Sequence, residues 1–148
     1  MEVKKIYFAA AAEKILKQFE KRGIEGHYFD DTSARLAFVK QLIPDESVVA
    51  WGGSMSLKES GVHDFLKSGK FRAIDREKAD TPEKLIKSYR DALSSDYYFM
   101  SSNAVTMDGK LLNIDGTGNR VAALCYGPTH VIVIAGMNKV ARDENAAM

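Results

Sequence analysis

Segments with helical periodicity alternate with short β-rich segments along almost all of the 148 residues. Phe8, Ile15 and Phe19 recur at helical spacing, and they predict an amphipathic first helix that ends near Gly23. Short aromatic or β-branched runs predict strands at residues 26–29, 48–51, 71–74, 97–100 and 131–135. This alternation indicates an α/β fold, with a mostly parallel sheet that is flanked by helices.

Local signals make this prediction more specific at several places. A single helix is expected to run through Leu57 and Leu66, and Thr81-Pro82 is a strong signal for the start of another helix. Asp108-Gly109 lies between two β-prone runs and predicts a small β-hairpin. The continuous apolar run at residues 131–135 is the pattern expected of a strand in the middle of a parallel sheet that is covered on both faces.

The composition describes a single globular domain, predicted to extend over residues 1–148, in which 45% of the residues are hydrophobic. The 21 basic and 20 acidic side chains leave a net charge of +1, so neither nucleic acid nor a membrane surface is an expected partner. The apolar run after Lys4 also resembles a signal peptide, but it is short and meets Glu13, which favours the helix. The single cysteine, Cys125, favours a reducing, cytoplasmic location.

Three polar turns each follow a predicted strand, where the ligands of open α/β sheets usually bind. The first turn contains two glycines followed by serine, the second surrounds two glycines with polar side chains, and the third contains an amide and an ammonium group. Three polar residues of the hairpin are added to this set. The predicted ligand-binding residues are Gly52, Gly53, Ser54, Asn103, Thr106, Asp108, Asn113, Gly116, Thr117, Gly118, Asn119, Arg120, Asn138 and Lys139.

We expect Arg120 and Lys139 to neutralise an anionic ligand, with Arg120 as a bidentate clamp. Backbone amides of the two glycine turns are expected to bind the oxygens of the ligand, and the asparagines are expected to orient it. Glu59 and Asp115 are the candidate catalytic residues. Either carboxylate is suited to act as a general base, or as the acyl acceptor in a reaction like that of a CoA-transferase.

Each turn also has a structural interpretation, which the sequence leaves open. The first turn is also compatible with a tight turn that is capped by Ser54 or Ser56. In the second turn, Asp115 is equally suited to cap the following helix while Arg120 pairs with a surface acid, and Lys139 is compatible with a solvated loop charge. The three histidines lie far apart in the sequence, so no metal site is predicted.

Several sequence blocks together carry a resemblance to a known family. They are residues 49–57 (VAWGGSMSL), 102–109 (SNAVTMDG), 113–121 (NIDGTGNRV), 126–128 (YGP) and 136–139 (GMNK). With these blocks in this order, the chain from about Glu13 onwards resembles the lactate-utilisation (LUD) domain family, of the LutC/YkgG type. The resemblance implies a fold similar to that of the NagB/RpiA/CoA-transferase superfamily.

The better-known members of that family belong to a bacterial system that oxidises L-lactate to pyruvate together with iron–sulfur subunits. The resemblance therefore implies that this chain binds no cofactor itself and that any iron–sulfur clusters lie in partner subunits. Many similar proteins continue past a position like Asn145 into another helix and a cysteine-rich tail, whereas this sequence ends at Met148. We expect either a shortened form, whose exposed end favours association into a homo-oligomer, or a redox role that lies in a partner.

The sequence thus predicts a LUD-domain component of lactate utilisation that binds a small carboxylate, phosphate or CoA-like anion at the carboxyl ends of the strands. The alternative is a stand-alone enzyme, similar to a CoA-transferase or a sugar-phosphate isomerase. Whether the chain is itself catalytic stays open at this point. A purely structural module is disfavoured, because a scaffold has little reason to collect asparagine, aspartate, threonine and arginine on glycine turns.

Overall fold

The computed structural model describes residues 2–148 and confirms the α/β fold. The helices are α1 (Glu2–Lys21), α2 (Thr32–Leu42), α3 (Met55–Glu59), α4 (Val62–Leu66), α5 (Pro82–Ala92), α6 (Asn119–Cys125) and α7 (Glu144–Ala147). The strands are β1 (Val48–Trp51), β2 (Arg72–Ile74), β3 (Tyr97–Met100), β4 (Ala104–Thr106), β5 (Leu111–Leu112), β6 (His130–Val133) and β7 (Val140–Ala141). Short 3-10 turns cover Arg76–Lys78 and Met137–Lys139.

The chain forms two compact units, each made of segments that are separated in sequence. The sheet unit comprises Leu36–Ser101 and Ile114–Ile134, and it contains a four-stranded parallel sheet with the order β2-β1-β3-β6. The hairpin unit comprises residues 2–35, Ser102–Asn113 and Ala135–Met148, and it contains a three-stranded sheet with the order β5-β4-β7. The extent of a single domain stays a prediction.

Both faces of the sheet in the sheet unit are covered by helices. Alternate residues of each strand point to opposite faces, so Val49 and Phe99 pack with residues of α2, α3 and α4. Ala50 and Tyr98 point the other way and pack with residues of α5 and α6. The continuous apolar sequence of the inner strands follows from this burial on both faces.

The ends of two helices in the sheet unit follow from their local sequence. Thr81 caps α5 by accepting a hydrogen bond from the Lys84 backbone at 3.3 Å, and Pro82 occupies the first helical position, as predicted. The single helix predicted through Leu57 and Leu66 is wrong, because the chain breaks into α3 and α4 at Gly61. Gly61 has a φ of 73°, a conformation that glycine adopts readily and that interrupts a right-handed helix.

Two strand predictions also need correction. No strand forms at residues 26–29 in the part of the chain that the structure describes, since this segment has no neighbouring strand with which to pair. The run at residues 131–135 does form a strand, but β6 lies at an edge of the parallel sheet and its residues are only partly buried. The apolar pattern predicted burial correctly for the inner strands, and at β6 it could not distinguish a middle position from an edge.

In the hairpin unit, α1 ends as predicted, with Gly23 in the left-handed conformation at a φ of 69°. β4 and β5 form the predicted antiparallel hairpin, and Gly109 turns with a φ of 81°. A side chain at Gly109 would collide with Gln18 of α1, so this turn also allows a close approach between hairpin and helix. Among the helices at residues 2–148, none has the length and apolar character needed to cross a bilayer.

Candidate functional site

All four strands of the sheet unit are parallel, so their carboxyl ends lie at one edge of the sheet. Gly52 and Gly53 follow β1, the 3-10 turn that begins at Arg76 follows β2, and Ser101 follows β3. The loop that precedes α6 supplies Asp115 to the same region. This edge is where the fold concentrates polar groups and glycine turns, as expected for an open α/β sheet.

Gly52 lies in close contact with two side chains of the sheet unit. A Cβ atom added at Gly52 would lie 3.3 Å from the Tyr98 hydroxyl oxygen and 3.7 Å from Arg120 Cδ. Gly52 lies two residues after Ala50, so its Cβ direction points to the α5 and α6 face of the sheet, where Tyr98 is also found. Glycine at this position therefore lets the side chain of Arg120 lie directly against the backbone at the strand end.

Hydrogen bonds to fixed protein acceptors hold the guanidinium group of Arg120. Nε donates to Asp115 Oδ1 at 2.7 Å, Nη1 donates to the Ser101 carbonyl at 2.9 Å, and Nη2 donates to the Ile114 carbonyl at 3.1 Å. The other carboxylate oxygen of Asp115 accepts from the Val121 backbone at 2.6 Å, within the first turn of α6. The side chains of Arg120 and Asp115 are only 14% and 9% exposed, so this is a largely buried ion pair.

The contacts match the structural interpretation of this turn, in which Asp115 caps the helix and Arg120 pairs with an acid. The acid is Asp115 itself and not a surface residue. Fixing Arg120 and Asp115 together orients the loop before α6 against the end of β3. Their roles as ligand clamp and catalytic carboxylate stay predictions.

Arg76, at the end of β2, has a different environment from Arg120. Its Nη2 donates to the Tyr89 hydroxyl at 3.0 Å, and its guanidinium carbon lies 4.9 Å from the centre of the Tyr89 ring. A Cβ atom added at Gly53 would lie 3.5 Å from Arg76 Nη1. Within residues 2–148, no carboxylate lies within ion-pair distance of Arg76, which is half-buried.

The two acids next to Arg76 in sequence are bonded to other groups. Asp75 accepts from the Glu77 backbone at 3.0 Å and lies 3.3 Å from the Lys67 ammonium group. Glu77 accepts from Lys67 at 2.9 Å and lies 3.3 Å from His63 Nε2. The hydrogen bond from Lys67 and the nearby positive charges lower the pKa of Glu77 to about 2. This network leaves the charge of Arg76 without a carboxylate partner.

Tyr98 contributes a buried hydroxyl group to the same region. Burial raises the pKa of Tyr98 to about 12, and the nearby charge of Arg76 acts in the opposite direction. The phenol therefore stays protonated at neutral pH and is suited to donate a hydrogen bond but not to act as a base.

The other predicted residues of the sheet unit are more exposed. The Thr117 hydroxyl donates to Asn119 Oδ1 at 2.7 Å, and Gly116 and Gly118 lie on the exposed turn beside them. Ser54 lies at the N-cap of α3 without a side-chain capping bond. Glu59, the last residue of α3, is exposed, and its carboxylate makes no hydrogen bond or ion pair with another described side chain. The structure thus brings Gly52, Asp115 and Arg120 together but gives Glu59 no contact with them.

A cavity of about 300 Å³ lies between α5 and α6 in the sheet unit. Its walls are mostly apolar, with polar groups where α6 begins. The residues that line it include Ile86, Tyr89, Leu93, Ala122, Thr117 and Asn119. Tyr89 therefore faces this cavity and also contacts Arg76.

The remaining predicted residues belong to the hairpin unit, where Thr106 is fully buried. Its hydroxyl donates to the Asp108 carboxylate and accepts from the Lys110 backbone at 3.0 Å. These two contacts close the hairpin turn. The hydrogen bond from Thr106, followed by that from Lys110, lowers the pKa of the Asp108 carboxyl group. The Asn103 backbone donates to Leu112 across the hairpin at 2.9 Å.

Three further predicted residues lie at the borders of the hairpin unit. Asn113 Nδ2 donates to the Leu111 carbonyl at 3.5 Å, while its side-chain oxygen is buried without a hydrogen-bond donor among the described residues. Asn138 and Lys139 lie in the second 3-10 turn. The Asn138 side chain lies so close to Gly136 that a Cβ atom there would collide with it. The roles of these residues in ligand binding stay predictions.

Sequence reasoning missed Arg76, Tyr89 and Tyr98. A usable signal existed for Arg76, because it lies two residues after a correctly predicted strand, at the same type of position as the first polar turn. Asp75 and Glu77 on either side made Arg76 resemble a member of a solvated charge run. For the two tyrosines no such signal existed, since one lies within a helix and the other within a strand.

Comparison with known proteins gives one family. The model of the LUD domain matches residues 12–148, which is nearly the whole chain. None of the curated proteins compared with the chain matches it.

Proposed function

Because the chain belongs to the LUD domain family, we propose that it is a component of lactate utilisation that binds a small organic anion at the carboxyl ends of the strands in the sheet unit. The family is associated with lactate utilisation in general. The substrate, the binding site and the partners go beyond the family match and are part of our proposal.

One observation supports the proposal more than any other. The Gly52-Gly53 turn lies against two arginines, Arg120 at Gly52 and Arg76 at Gly53. Asp115 neutralises one of these charges, so the turn retains one positive charge. Of the two glycines, Gly53 is exposed, whereas Gly52 is buried and its N–H donates to the Phe99 carbonyl at 2.9 Å. Excess positive charge beside the exposed backbone of Gly53, at the strand ends of a parallel sheet, favours binding of a monoanion.

We place electron transfer in partner subunits and substrate binding in this chain. The sequence contains the single cysteine Cys125, so it offers no set of thiolates for an iron–sulfur cluster. In this proposal, the iron–sulfur subunits implied by the resemblance accept the electrons of lactate. This chain holds the carboxylate and acts in the cytoplasm, a reducing compartment that the single cysteine favours.

Isothermal titration of the purified chain with L-lactate and pyruvate tests the proposal. We expect saturable binding that weakens at high salt, because the attraction is electrostatic. Arg120→Ala, assayed well below its melting temperature, is expected to bind more weakly, since the charge of Asp115 is then left uncompensated at the same edge. Absence of binding to either acid, or unchanged binding in folded Arg120→Ala, would contradict the proposal.

A turnover assay distinguishes the binding role from the alternative, a stand-alone enzyme similar to a CoA-transferase or a sugar-phosphate isomerase. The chain alone is incubated with acetyl-CoA and a carboxylic acid, or with a sugar phosphate. We expect no product in either reaction. Product formation that is lost in Glu59→Gln would favour the enzyme and contradict the binding role.

A further inference from the structure

Resting on the proposed function, we propose that Arg76 is the residue that binds the charge of the ligand, and that the ligand is a small monocarboxylate. Arg120 is then a positioning residue, which holds the loop before α6 against the strand end. Nothing in the sequence analysis assigned a role to Arg76.

The two guanidinium groups differ in how many of their hydrogen-bond donors are already used. All three nitrogens of Arg120 donate to Asp115 or to backbone carbonyls. Arg76 makes one hydrogen bond, from Nη2 to Tyr89, and within residues 2–148 its Nη1 and Nε donate to no protein acceptor. A half-buried guanidinium with unfilled donors is a strong binding group for a carboxylate.

The Arg76 side chain is preorganised by Tyr89. The Tyr89 ring lies 4.9 Å from the guanidinium carbon and its hydroxyl accepts a hydrogen bond, so two contacts with one residue fix the position of Arg76. A fixed side chain loses less conformational entropy when a ligand binds than a freely rotating one. Tyr89 therefore acts on the ligand through Arg76.

The charge of Arg76 is not neutralised by its neighbours. Lys67 lies within ion-pair distance of both Asp75 and Glu77, and Lys58 lies 3.5 Å from Glu77. The two ammonium groups balance the two carboxylates, so neither acid competes with a ligand for Arg76. Together with the ion pair of Arg120 and Asp115, this leaves one unit of positive charge, that of Arg76. A carboxylate matches that charge, whereas a phosphate group at neutral pH carries nearly two negative charges.

NMR titration of the full chain tests the inference. The nitrogen-labelled protein is titrated with pyruvate, with acetate and with inorganic phosphate. Backbone amide signals of Gly52 and Gly53 report on the turn, and the Nε–H signal of Arg76 reports on the guanidinium. We expect both sets of signals to shift with one dissociation constant for each carboxylate, and we expect phosphate to bind more weakly.

Arg76→Gln is expected to raise the dissociation constant of pyruvate by about tenfold or more, since a hydrogen bond to a charged group is lost together with the charge. Arg76→Lys keeps the charge and is expected to show an intermediate loss. Arg72→Gln is the matched control, because Arg72 lies on β2, the strand that precedes Arg76, is exposed and donates to the Glu46 carbonyl. We expect it to leave the dissociation constant unchanged.

The outcomes separate the inference from the proposed function. If the glycine amides shift and Arg76→Gln binds as tightly as the native chain, Arg76 is not the anchor, while binding at the turn stands. If the Arg76 signal shifts without those of the glycines, the anchor stands and the proposed site at the turn fails. Shifts in neither set overturn both, and tighter binding of phosphate than of either acid overturns the assignment to a monocarboxylate.

Discussion

Arg76 and Arg120 lie at the same edge of one parallel sheet, and each lies against a glycine of the same turn. Arg120 is largely buried, and each of its three nitrogens donates to a protein acceptor. Arg76 is half-buried and uses one nitrogen on a tyrosine. Residue type and place in the fold are thus the same for both arginines, and they differ in the partners of the guanidinium, which is the difference on which we propose Arg76 as the binding residue.

Among the substitutions at this edge, Arg120→Gln is expected to lower the free energy of unfolding the most. The substitution leaves Asp115 as a mostly buried charge without its partner, and it removes two hydrogen bonds to backbone carbonyls. We expect the free energy of unfolding to fall by about 3 kcal/mol, measured by urea denaturation followed by Trp51 fluorescence. Arg142→Gln, which removes an exposed pair with Asp143, is the control and should change stability by less than about 0.5 kcal/mol.

Alanine substitution is expected to cost more stability at Gly52, beside Arg120, than at Gly53, beside Arg76. Gly52→Ala places a Cβ atom 3.3 Å from the Tyr98 hydroxyl, a tight contact in a filled region, and should cost about 1 kcal/mol. Gly53→Ala places it 3.5 Å from Arg76 Nη1, an ordinary van der Waals contact that requires no shift of either group, and should cost less than about 0.5 kcal/mol. Equal losses, measured by urea denaturation, would remove the proposed difference between the two sides of the turn.

Arg76→Gln is expected to have a smaller effect on stability than on ligand binding. The substitution removes one hydrogen bond and the contact with the Tyr89 ring. Stability measured without ligand should therefore fall by less than about 1 kcal/mol. A loss as large as that of Arg120→Gln would show that Arg76 is also part of the framework, and the comparison would break.

The smallest effect concerns the acid beside Arg76. The pKa of Glu77 is about 2 in the folded chain and 4.5 as the ordinary value, so its stabilising contribution is complete above pH 4.5 and is lost as the pH falls towards 2. In Glu77→Gln, we expect a shallower loss of stability across this window, measured by thermal unfolding at a series of pH values. A pH profile identical to that of the native chain would show that Glu77 is not held by Lys67 as described.

How far the sequence predicts this molecule depends on whether the deciding interaction is local. Thr81, Pro82 and the Asp108-Gly109 turn act on the backbone within a few residues, and their predictions are confirmed. The strand predicted at residues 26–29 and the middle position predicted for β6 depend on partners distant in sequence, and both are wrong. The break at Gly61 lies between, since glycine permits a left-handed turn without requiring one.

The candidate site follows the same division. The polar turns after predicted strands include Gly52, Asp115 and Arg120, which the structure brings together, while their roles in binding stay predictions. The acceptors that occupy the donors of Arg120 lie on other elements of the fold. The same holds for the network around Glu77, which leaves Arg76 without a carboxylate partner. Such partners are fixed only by the folded chain, so the sequence pattern favoured Arg120 as the binding group and missed Arg76.

The parallel order of the main sheet has a consequence for synthesis of the chain. β1 needs β3 as a neighbour, with Val49 beside Tyr97, and β3 in turn needs β6, with Tyr97 beside His130. Arg120 and Asp115 leave the ribosome after three of the four strands, and β6 follows them. The residues at the carboxyl ends of β1 and β2 thus emerge well before the sheet is complete, and a nascent chain exposes the unpaired side of β3 until β6 has been made.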